Sequence, residues 1–242
     1  GIPGVCRSRS AAGGGMVSTL ATLLASLLGL HAVLAAWIRA DVTNMSLAWQ
    51  LPLGRVAIGM DGVTSFFLLP IFVVSALGAV YGAKYWSYAE HPESAARLRF
   101  FYGLLAGAMV LVVLARDSVL FLMAWEVMAL AAFFLVTTED DDAGVCRAGW
   151  IYLIATHLGT LCLIAMFAIL RGATGSFAIQ SLTAKSLSPG IATAVFVLTV
   201  IGFGLKAGIM PLHVWLPGAH ASAPSHVSAV MSGVMIKMGI YG

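Results

Sequence analysis

The sequence predicts an all-α polytopic membrane protein of about seven transmembrane helices, the sixth of them broken near Pro211. Three observations carry this. The composition is 60% hydrophobic and only 10% charged, whereas about a quarter of the residues in a soluble domain are charged. Seven apolar runs are long enough to cross roughly 30 Å of hydrocarbon. One stretch, GFGLKAGIMPLHVWLPGAHASAP at 202–224, sets Lys206 at bilayer depth with Pro211 five residues beyond it.

The first run, 17–38, follows the segment GIPGVCRSRSAAGGG, whose Gly, Ser and Arg content and lack of periodicity predict a disordered or non-native leader over 1–16. A signal peptide competes with this reading, but the apolar run of about 20 residues is too long for a usual signal core. Residues 41–60 mix polar and apolar side chains around Pro52 and Gly54 and predict a short interfacial hairpin. Asp61 then caps the second helix, 63–84. Runs three and four, 99–115 and 118–137, are separated only by Arg116 to Ser118. One continuous helix there would be roughly 58 Å long, so a tight helical hairpin is expected. An acidic loop, 138–147, leads to the fifth run, 149–171. A polar loop, 174–190, leads to the sixth, 191–213, and the seventh covers 224–242.

Basic residues do not orient the chain. Arg7, Arg9, Lys84, Arg97, Arg99 and Arg147 fall on one side, and Arg39, Arg55, Arg116, Arg171 and Lys185 on the other. Six against five is no bias. The formal charge of +3 is too small and scattered for a nucleic-acid surface. Cys6, Cys146 and Cys162 form no C-x-x-C pair, which argues against a disulfide framework, an iron–sulfur cluster or a zinc site. No cofactor is expected in this chain.

Away from the helix ends, Glu126, His157, Lys206 and Lys237 stand out as titratable residues inside the predicted spans. A charge at the bilayer centre costs roughly 3 kcal/mol on insertion scales. Lys237 could snorkel and His157 could be structural, but Glu126 and Lys206 sit far from either end of their spans. In a low-dielectric interior an acid and a lysine keep each other charged, and separating them moves a proton. Pro211, with Gly204 and Gly208 around the lysine, breaks the helix. Broken backbone at membrane depth is tolerated where it lines a cavity, the arrangement transporters use at the midplane. His213, His220 and His226 surround the break at spacings that match no metal-ligand pattern, and they read as polar lining of a proton path or as interfacial histidines.

The segments MDGVTSFFLLP (60–70), WEVMALAAFFLV (125–136) and the long block 202–242 resemble the antiporter-like proton-translocating subunits of respiratory complex I, membrane-bound hydrogenases and Mrp antiporters, most of all the hydrogenase members. The resemblance runs from about residue 20 to the end. It implies that Glu126 is the glutamate of the family's WE helix, Lys206 the lysine that pairs with it on the broken helix, and Lys237 the next relay lysine. His220 and His226 match polar positions of the connecting segment, with His157 a further polar candidate. It also implies a subunit without its own redox centre, which pumps protons when electron transfer in partner subunits perturbs a line of charges. That makes it a translocase component rather than a self-contained enzyme, in a bacterial inner membrane.

Family members have about fourteen helices with two inverted five-helix repeats. This chain is therefore expected to be a fragment: N-terminal helices with the hairpin over 17–98, and the first half of an inverted-repeat transporter fold over 99–242. Expected partners are other membrane subunits and a peripheral redox arm. Two other readings stay open: an Mrp-type Na+/H+ antiporter subunit, and a structural membrane anchor.

Overall fold

In the computed structural model, residues 3–39, 43–48, 55–179 and 187–242 are described. Among the described residues the regular structure is helical apart from one hairpin, and six helices are long and apolar enough to cross a membrane. Helix α1 (Pro3–Arg39) leads into strands β1 (Thr43–Ala48) and β2 (Arg55–Met60). Then come α2 (Gly62–Tyr85), α3 (Ala95–Leu114), α4 (Ser118–Val136), α5 (Ala143–Thr174) and α6 (Pro189–Ala207). Three short helices follow, α7 (Leu216–Ser222), α8 (Ser225–Gly233) and α9 (Met238–Tyr241), the last two joined by a 3-10 turn at Met235–Lys237.

Aspartates start the helices. Asp61 accepts from Thr64 N at 2.8 Å, Asp117 from Val119 N at 2.9 Å, and Asp142 from Gly144 N at 2.6 Å. Each satisfies backbone donors that a helix start leaves free. The Asp142 cap sets the start of α5 at Ala143, six residues before the apolar run suggests. At the other end Gly175 closes α5 in the left-handed conformation, φ 76°. The Arg116 turn is as tight as expected, with α3 ending at Leu114 and α4 beginning at Ser118.

β1 and β2 pair antiparallel, Thr43 opposite Met60. Pro52 and Gly54, expected at the tip of this hairpin, lie outside the described residues, as do residues 180–186 of the 174–190 loop. The hairpin is tied to the α3–α4 turn, where Arg116 N donates to Ala57 O at 2.8 Å. The Arg116 guanidinium bonds both Asp61 Oδ2 and Thr64 Oγ1 at 2.8 Å and reaches Tyr241 OH at 3.4 Å. One arginine thus joins the start of α2, the turn before α4 and the last residues of the chain. Burial works to raise the Asp61 pKa, but the Thr64 hydrogen bonds and the Arg116 charge outweigh it and hold the carboxyl below its ordinary value. A depressed folded-state pKa adds stability above the unfolded value and loses it as pH falls through the folded one. Asp61→Ala is expected to cost about 1 kcal/mol as a lost cap. Thermal unfolding of the detergent-solubilised protein should show this difference at neutral pH and see it shrink on acidification.

The described backbone is helical from Pro3 and continuous with the apolar run. One sequence expectation is corrected here. The seventh run, 224–242, is not one helix. It breaks at Val234 (φ −131°, ψ −54°), directly after Gly233, where a flexible glycine and a β-branched valine lower helix preference together.

Candidate functional site around Lys206

Helix α6 stops well before Pro211. It ends at Ala207, with Gly208 at φ 65°, a left-handed conformation that favours glycine. Lys206 therefore sits in the last turn of α6, and the chain to Leu216 is a series of turns. Ending a helix frees carbonyls that must be satisfied inside a membrane. Gly204 O accepts from Ile209 N at 3.1 Å, and Leu205 O accepts the Trp215 indole N–H at 2.6 Å. Trp215, 1% exposed, folds the segment after the break back onto α6.

Lys206 is 1% exposed, among the largest fully buried side chains of the protein. Its Nζ donates to the Tyr152 hydroxyl at 3.2 Å. It also lies 5.7 Å from the centre of the Trp125 ring and 5.5 Å from that of Tyr152, within the range where an aromatic face attracts a cation. Tyr152 on α5 is completely buried, and its ring packs edge-to-face on Trp215 with centroids 5.1 Å apart. Phe203, one turn before Lys206, packs edge-to-face on Trp125 at 5.5 Å. The lysine is thus held by α4, α5 and the residues beyond the break together.

The α5–α6 contact that positions this pair is close. A Cβ on Gly202 would lie 3.1 Å from Gly159 O and 2.6 Å from the Leu163 side chain, and one on Gly159 would lie 3.0 Å from Gly202 O. Lys206 follows Gly202 by one helical turn, so the glycine contact fixes its depth against α5.

Glu126 does not touch Lys206. Its Oε2 lies 3.3 Å from His157 Nε2, and the two side chains are 30% and 46% exposed. Its other oxygen, Oε1, is buried with no hydrogen-bond partner among the described residues. The reason is rotational: Trp125 takes the inward position on α4, which leaves Glu126 at the edge of the helix face, where α5 presents His157. The direct acid–lysine pair expected from the sequence is replaced by two neighbouring pairs, Glu126 with His157 and Lys206 with Tyr152.

Lys237 lies elsewhere. It is exposed, in the 3-10 turn after the second break, and its Nζ donates to Ser232 O, a carbonyl whose usual helical donor is lost at that break. Ser232 Oγ donates to Ser228 O at 2.9 Å, and Ser228 Oγ lies 2.8 Å from His220 Nδ1. His220, Ser228, Ser232 and Lys237 therefore form one polar stripe along α7 and α8. His213 is half-buried, and His226 is buried on the opposite side of α8 against α2. Among the described residues, no group of three or more His, Cys, Asp or Glu side chains converges as a metal site would.

Sequence reasoning missed Tyr152 and Trp215, the two residues that hold the lysine and its helix end. Tyr152 carried a readable signal: a tyrosine nine residues into an apolar helix needs a polar partner for its hydroxyl. Tyr152→Phe keeps the ring and removes the hydroxyl that accepts from Lys206 and donates to Met235 Sδ at 4.0 Å. It is expected to leave thermal stability within about 1–2 kcal/mol, read from the unfolding temperature of the detergent-solubilised protein; a larger loss would show that burial of Lys206 depends on this hydroxyl.

Six apolar helices long enough to cross a membrane, one of them ending beside a buried lysine, define a polytopic helical membrane protein of the antiporter-like class. The chain is a member of the NADH:quinone oxidoreductase/Mrp antiporter transmembrane family, whose family model matches residues 115–242. It is 39% identical over 183 residues to Hydrogenase-4 component B of Escherichia coli (strain K12), an alignment that takes in 76% of this chain and 27% of that protein. It is 30% identical over 224 residues to NAD(P)H-quinone oxidoreductase chain 4 1 of Synechococcus sp. (strain JA-3-3Ab), covering 89% of this chain and 41% of that one. The fold superposes on a chain of the Mrp complex from Dietzia sp. DQ12-45-1b with a TM-score of 0.78 and 24% identity, over 98% of this chain and 27% of the other. The chain thus spans well under half the length of these relatives.

Proposed function

We propose that this chain is part of a proton-translocating subunit without a redox centre of its own, which couples electron transfer in a hydrogenase or quinone-reductase complex to proton pumping. The observation that carries the reading is Lys206: a cation 1% exposed, held by one hydroxyl and two aromatic faces. A buried ionisable group of this kind is costly and marks ion and proton pathways. In the proposed relay Lys206 carries the proton, Glu126 with His157 biases its charge from the neighbouring helices, and Lys237 passes the proton on along the polar stripe. Motion at the Gly208 break is the switch. The partners are other membrane subunits and a peripheral redox arm, in a bacterial inner membrane.

The test is proton uptake into sealed vesicles that carry the complete complex, driven by its electron donor, with and without sodium. Uptake in sodium-free medium is the expected result. Uptake that requires sodium would assign an Mrp-type antiporter. Electron transfer with no uptake under either condition would leave a structural anchor.

A further inference from the structure

Helix α2 carries the sequence GAVYG at 78–82, two glycines one turn apart. A Cβ on Gly78 would run into the Tyr102 hydroxyl, and one on Gly82 would come within 2.7 Å of the His226 ring. The glycines thus carve a recess into α2, and polar side chains from α3 and α8 fill it. Tyr102 OH donates to Ser75 O at 2.9 Å, on the same helix as the glycines. His226 is 3% exposed. Tyr81, Tyr85 and Tyr102 surround it with ring centroids 6.4, 6.1 and 5.7 Å away, and Arg99 supplies the neighbouring charge.

Two nitrogens in this region are buried without a hydrogen-bond partner among the described residues, His226 Nδ1 and Arg99 Nε. Both residues line one cavity of about 20 Å³, which Ser18 and Thr22 of α1 bound on the far side. Glu126, Lys206 and Lys237 do not line it. A water needs roughly 10–15 Å³ of such space and two to four polar partners. Leaving a buried polar group unsatisfied costs about 1–3 kcal/mol. Both requirements meet in this cavity, so volume and chemistry agree.

We propose that this cavity is a water site, and that His226 exchanges protons through it with the aqueous phase at the 86–95 end of the bundle. The polarity is fixed by the arginine, which can only donate. The water accepts from Arg99 Nε–H and donates to His226 Nδ1, which places the ring proton on Nε2. Arg99 Nη2 also reaches Trp86 O at 3.4 Å, at the end of α2 where the chain leaves the helix, so the site lies beside that surface. The proton-exchange role rests on the pumping function proposed above; the water site does not.

The experiment is a map of the complete wild-type complex that resolves ordered water, paired with donor-driven proton uptake by His226→Phe and His226→Gln complexes. The expected map shows a water within hydrogen-bond distance of both nitrogens. Both variants are expected to lower uptake per electron pair by about a hundredfold or more, the lower end of the loss for a removed proton-transfer group, at an unchanged rate of electron transfer. No water, or a side chain or lipid atom bonded to the nitrogens instead, overturns the site. A water present while both variants pump as wild type overturns the role of His226. Wild-type complex that pumps nothing overturns the function and leaves the water to be judged by the map alone.

Discussion

Replacing Lys206 by alanine is expected to reduce donor-driven proton uptake by the complete complex to the passive leak, while the complex still assembles. Two opposing effects keep the cost to stability small. The substitution removes packing, worth about 2–5 kcal/mol when a large buried side chain is truncated to alanine. It also removes a cation whose withdrawal from water costs several kcal/mol. Lys206→Met, which keeps the volume and loses the charge, should assemble at least as well and pump no better. Lys206→Arg is the sharper test. Arginine keeps the charge but does not release its proton in a protein, so uptake should again fall to the leak. Arginine-supported uptake would show that the site needs a fixed charge only, and the proton would have to pass elsewhere.

The second large effect is expected at Gly202. Leucine there must displace the Leu163 side chain and the Gly159 carbonyl, since even a Cβ lies 2.6 and 3.1 Å from them. Backbone cannot yield as a flexible side chain does. Overpacking typically costs about 1–3 kcal/mol, and moving α6 away from α5 separates Lys206 from Tyr152, which now meet at 3.2 Å. Gly202→Leu should therefore lower the unfolding temperature and uncouple electron transfer from uptake together. Gly172→Ala, on α5 where a Cβ meets nothing within 4 Å, is the matched control and should do neither. Loss of uptake in both would point to general fragility of α5 rather than to the glycine contact.

The existence and order of the six long helices were legible in the sequence because lipid leaves the backbone few options, and the aspartate caps are local; their ends were less so, since α6 stops at Ala207 and not at 213. Asp61 needs only the residues that follow it to act as a cap. Lys206 was equally legible, since one charge in a long apolar run stands out whatever surrounds it. The break in the last segment was not. Gly233 and Val234 weaken a helix only modestly, and the outcome depends on whether the freed Ser232 carbonyl finds a donor, which Lys237 supplies from five residues on. The partner of Glu126 was hidden for a similar reason. Sequence opposes an acid to the nearest buried base, but rotation about the axis of α4 gives the inward position to Trp125, and the carboxylate meets His157 instead. Tyr152 was masked by its own ring, which passes as apolar in a hydrophobic run.

The two breaks differ in what closes them. At the first, the Leu205 carbonyl is held by the indole of Trp215, a side chain that does not titrate. At the second, the Ser232 carbonyl is held by the very amine assigned to carry protons onward. Lys237 acts there as a latch, and it cannot swing toward a new partner without letting go of the backbone. In the relay proposed above, each transfer through it includes a local rearrangement of the chain, and such motions run in microseconds to milliseconds rather than at the pace of a rotamer flip. Throughput at this point would be timed by a hinge in the main chain, so changes at Gly233 or Val234 could slow the flow of protons without altering a single titratable group.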